Sequence, residues 1–105
     1  MSPLGRPPLP VETVRDLLAI ARALHANRQG EGAPLAELQK LAAASAALTN
    51  SLNMAHADRN SIGARAAWGW AEQGLALLAE ALCREDAAAR LFVAAWGARL
   101  LKHDG

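Results

Sequence analysis

The chain has 105 residues, room for one domain with a thin core. Its 11 basic and 10 acidic residues leave a net charge of +1, which argues against a general nucleic-acid binder, because phosphate neutralisation demands a basic excess. A single cysteine, Cys83, excludes an internal disulfide and so a disulfide-stapled secreted fold.

Hydrophobic residues make up 52% of the chain and charged ones 20%. Most of the apolar share is alanine and leucine, both good helix formers, while strand-forming aromatic and β-branched residues are scarce. The expected fold class is therefore all-α, a small antiparallel bundle of three to four helices. No apolar run approaches the roughly 20 residues that span a bilayer. Residues 1–10 show no charged-then-apolar leader pattern, and the expected location is cytoplasmic. The Ala- and Arg-rich, Lys-poor usage is the compositional habit of GC-rich bacterial genomes.

Residues 1–10 contain four of the five prolines and read as an extended arm, with the bundle over 11–105. Pro7 and Pro10 form a PxxP, but Leu4 and Glu12 stand where an SH3 ligand carries its basic residue. The first helix is expected from Val11 to Arg28. Val11, Val14, Leu18, Ala21 and His25 share a face, and Gly30 and Gly32 mark the end. A second helix is expected from Pro34 to Ala57, with Leu38, Leu41, Ser45, Leu48, Leu52 and Ala55 as its seam. No charge occurs from Leu41 to Ala55.

Asp58-Arg59-Asn60-Ser61 reads as a turn with Asn60 or Ser61 as cap. It holds neither glycine nor proline, so one long helix through it is the alternative. A third helix is expected from Ile62 to Leu82, a turn at Arg84-Glu85-Asp86 with Asp86 as cap, and a fourth helix from Ala87 to Lys102.

Helices 2, 3 and 4 each have a central section poor in charge around the whole circumference. Surface helices normally carry one apolar stripe and one charged face. A lone chain of 11.0 kDa cannot hide three such helices on every side, so the module is expected to self-associate, as a dimer, and to engage a protein partner. Exposed alanine, which costs little, is the competing explanation. Trp68 and Trp70 point about 200° apart on a helix. Gly63, Ala67 and Gly74 lie on the face of Trp70 and leave room for a ring or a close helix, which places Trp70 in the core. Arg65 and Glu72 flank Trp68, which places Trp68 at a polar boundary as a partner contact. Trp96 shares a face with Phe92 and Leu100 as a second aromatic pair. Partner-contact candidates are thus Trp68, Arg65, Glu72, Trp96 and Phe92.

Ser45, Thr49, Asn53 and His56 form a polar row beside the leucine seam, expected to be partly solvated. Facing inward, it is a stripe able to orient a small molecule together with Trp70 and Trp96. None of His25, His56 or His103 has a second strong ligand at i+3 or i+4, and no C-x-x-C or H-E-x-x-H occurs, so no metal and no cofactor is implied. No nucleophile has a visible base and no paired carboxylates stand out, so catalysis is not expected.

The segment His56-Ala57-Asp58-Arg59-Asn60-Ser61-Ile62 resembles the phospho-accepting box of sensor histidine kinases over seven residues. His56, Arg59, Asn60 and Ile62 stand at matching positions. Ala57 replaces the acid that assists transfer, Ser61 replaces the helix-bending proline, and no nucleotide-binding domain follows. The resemblance implies a phosphotransfer module with His56 as acceptor, the alternative to an interaction module.

Overall fold

The computed structural model describes residues 9–57, 61–83 and 85–101, the side chains of 56, 57 and 61–64 excepted. These residues form four helices: α1 (Val11–Gly30), α2 (Leu35–Ala57), α3 (Ser61–Leu82) and α4 (Asp86–Leu101). No strand occurs among them.

α1 starts without a side-chain cap. The Pro10 carbonyl accepts the first helical bond, from the Val14 N–H at 3.1 Å. Pro10 itself is buried and Leu9 packs on the core. The helix ends in a Schellman arrangement. Ala33 N–H donates to the Arg28 carbonyl at 3.0 Å and Gly32 N–H to that of Gln29 at 3.1 Å. This requires the left-handed backbone that Gly32 adopts at φ +76. Pro34 stands one residue ahead of α2, its carbonyl accepting from Leu38 N–H, rather than inside the first turn as expected. Likewise Asp86 is the first residue of α4 rather than its cap, and the Glu85 carbonyl accepts from Ala89 N–H at 3.0 Å. An acid in that first turn complements the helix dipole.

α2 and α3 lie antiparallel in close contact, which overturns the single long helix. Three cross-contacts set the order. The Ser51 hydroxyl donates to the Ala67 carbonyl at 2.6 Å, Leu48 sits against Gly74, and Lys40 Nζ lies 3.3 Å from Glu80 Oε1. The turn itself and its cap, residues 58–60, lie outside the described residues. Packing runs from neighbour to neighbour: α1 on α2, α2 on α3, α4 on α3, with smaller contacts from α1 to α3 and α4. The core joins Val14, Leu17, Leu18 and Ala21 of α1 to Leu41, Ala44 and Leu48 of α2, Trp68, Ala71, Leu75 and Leu78 of α3, and Leu100 of α4.

At Gly74 the two helices of the hairpin come close together. A Cβ there would stand 2.6 Å from Leu48 Cγ and 3.3 Å from the Ala44 carbonyl oxygen. The expectation that small residues here admit a close helix holds at this position, and the helix is α2. The buried face of α2, Leu41-Ala44-Leu48-Ser51, is rotated from the expected seam: Ala44 and Ser51 are buried, whereas Ser45 and Leu52 are half-buried.

Candidate interaction surface

The two neighbouring tryptophans of α3 take the opposite places from those expected. Trp68 is 3% exposed and belongs to the core, while Trp70 is 36% exposed. The inward direction of α3 is fixed by Ala71, Leu75, Leu78 and Leu82. At 100° per residue, Trp68 stands about 50° from the centre of that face and Trp70 about 110° from it. Arg65 and Glu72 beside Trp68 are exposed, so the ring lies on the shoulder between the charged side and the core and packs inward. Trp68 is therefore no surface contact in this fold, and Trp70 is no core residue.

α4 is apolar on two opposite sides. Its inner stripe, Phe92, Val93, Trp96 and Leu100, packs on the core, with only Leu100 fully buried. The Phe92 and Trp96 rings lie 6.4 Å apart, tilted by 42°. The Arg99 guanidinium carbon sits 4.2 Å from the Trp96 ring centroid, a cation–π contact that covers the outer side of the indole. The outer stripe is Ala87, Leu91, Ala94, Ala98 and Leu101, all exposed, with Leu91 at 72% and Leu101 at 62%. On helical geometry these five fall within about 80° of arc, opposite the inner stripe.

α2 differs. Its outward side carries one exposed leucine, Leu35 in the first turn, followed by the alanines Ala42, Ala43 and Ala46, so through the charge-free middle of α2 exposed alanine accounts for the missing charge.

The polar row on α2 splits. Ser45 and Thr49 are half-buried and turn back on their own helix, donating to the Leu41 carbonyl at 3.1 Å and the Ser45 carbonyl at 2.8 Å. Asn53 is exposed, and the His56 side chain lies outside the described residues. Ser51, absent from the row, is the buried polar residue of α2 and ties it to α3.

A cleft of about 440 Å³ opens where the end of α1 and the start of α2 meet the end of α3. Arg28, Glu37, Lys40, Glu80 and Cys83 line it, and no tryptophan does. Its charges are matched in pairs, Arg28 Nε to Glu37 Oε2 at 3.6 Å and Lys40 to Glu80. Glu37 Oε2 accepts no hydrogen bond, so the first pair is held by proximity of charge alone. This cleft is not the tryptophan-lined cavity that a small-molecule role calls for. Among the described residues no three His, Cys, Asp or Glu side chains converge on a metal position, and no helix is long and apolar enough to cross a membrane.

No family model, curated protein or solved structure matches the chain.

Proposed function

We propose that the chain is a helical self-association module whose contact surface is the outer side of α4. The observation that carries this is the two-sided apolarity of α4. A helix whose only task is to cover the core has a polar outer face. Here Leu91 and Leu101 stand in solvent on the side facing away from the core. Covering each adds on the order of 1–2 kcal/mol to association. Trp68, expected as the contact, serves the core instead, and the outer stripe takes its place.

Size-exclusion chromatography with light scattering over a wide concentration range tests the proposal. The expected mass rises from 11.0 kDa toward twice that value as concentration increases. A mass fixed at 11.0 kDa up to millimolar chain removes it.

A further inference from the structure

Resting on that self-association, we infer that two copies pair antiparallel through α4, with Ala94 facing its own counterpart on the two-fold axis. The outer stripe runs Ala87, Leu91, Ala94, Ala98, Leu101, spaced four, three, four and three residues, the 3.5-residue period of a helix–helix seam. Reversing one copy about Ala94 sets Leu91 against Ala98 and Leu101 against Ala87. Every leucine then meets an alanine, so four of the five layers carry the same volume, and the smallest, Ala94 on Ala94, lies at the axis where the helices approach most closely. A parallel pair stacks leucine on leucine and alanine on alanine, alternating crowded layers with voids. The self-matching under reversal is the reason for choosing a second copy over an unrelated protein.

The same residues argue against a lipid surface. Interfacial helices present bulky Leu, Phe or Trp to the membrane and a charged face to water. Three of the five positions here are alanine, which inserts little but allows close approach of helix axes. The face opposite them is packed on the core. The strip is about 21 Å long and one helix, roughly 10 Å, wide. It falls short of the roughly 1,200 Å² total at which stable interfaces begin. The dimer is therefore reversible, with a dissociation constant on the order of micromolar or weaker.

The test uses the full chain. Leu91→Glu is expected to weaken dimerisation roughly a hundredfold while leaving helix content unchanged by circular dichroism, since the position is exposed. On a Cys83→Ala background, Ala94→Cys is expected to form a disulfide-linked dimer under mild oxidation, because the two-fold brings its Cα atoms within disulfide range. Leu91→Cys alone is expected to cross-link at least about tenfold more slowly, and a mixture of Leu91→Cys with Ala98→Cys chains to cross-link readily. Faster cross-linking by Leu91→Cys than by Ala94→Cys means parallel pairing and overturns the inference. A dimer that Leu91→Glu leaves intact also overturns it, with self-association surviving through another face. Co-sedimentation of the chain with phosphatidylglycerol vesicles that Leu91→Glu abolishes overturns it in favour of lipid. A wild-type chain that never exceeds 11.0 kDa removes both the pairing and the module.

Discussion

On the facing sides of the α2–α3 hairpin the small residues meet a neighbour. Ala44, Ala67, Ala71 and Gly74 are buried, and Leu48 fills the space that a Gly74 Cβ would need. In α4 they face away from everything: Ala87, Ala94 and Ala98 lie in solvent with Leu91 and Leu101 among them. Both stretches read alike along the chain, as alanine-rich helix with few charges. The difference shows that a small residue reports a close contact only when a partner with matching bulk stands opposite, as α2 and α3 supply to each other and as the outer side of α4 lacks within one copy.

The sharpest way to break this comparison is the tryptophan pair. Trp68→Ala should cost about 3–5 kcal/mol in urea unfolding followed by circular dichroism, and Trp70→Ala under about 1 kcal/mol. Equal losses would mean that the inner face of α3 has been assigned wrongly. Next come the glycines, where the sign of the effect is the test. Gly74→Ala gains roughly 1 kcal/mol of helix propensity but forces Leu48 and the backbone of Ala44 aside, for an expected net loss of about 1 kcal/mol. At Gly97 of α4 a Cβ meets nothing within 4 Å, so Gly97→Ala should raise thermal stability, by about 0.5–1 kcal/mol. A gain at both positions would show that the α2–α3 contact is loose.

Ser51→Ala removes the hydroxyl that bridges the hairpin and should lose about 1 kcal/mol, whereas Asn53→Ala, exposed two residues later, should change stability by under about 0.5 kcal/mol. The smallest effect belongs to Lys40→Ala, under about 0.5 kcal/mol, because the Lys40–Glu80 pair is about half exposed on both sides (47% and 54%) and screened by water. A salt titration of the unfolding midpoint that distinguishes this variant from wild type by more would assign the ion pair a larger part in the hairpin.

The four helices and most of their ends were legible from the sequence, because helix period, proline and glycine are local signals. The closure of α1 at Gly32 is such a case: only a residue tolerant of positive φ completes that turn. The aromatic pair Phe92–Trp96 was legible for the same reason, being one turn apart on one helix. The orientation of α3 was not. Arg65 and Glu72 suggested a polar boundary at Trp68, yet the inward direction is set by Leu75 and Leu78, and a large indole on the shoulder follows the larger apolar surface. Ser51 went unnoticed for a related reason. Its signal was present, since Leu41, Ala44, Leu48 and Ser51 continue one spacing of three and four, but a serine is not counted among apolar residues. Which of two adjacent stripes faces the partner depends on that partner's shape, and one helix alone does not encode it.

The neighbour-to-neighbour packing of the helices has a kinetic consequence. Nearly every stabilising contact joins segments adjacent along the polypeptide, so little loop entropy opposes their formation, and the chain belongs with the fast-folding, low-contact-order proteins of the microsecond-to-millisecond range. The α2–α3 hairpin can form before either flanking segment docks. The last helix, attached on one side and fully buried only at Leu100, is then the first to detach, and its amides should exchange with solvent deuterium ahead of those between Leu41 and Ser51.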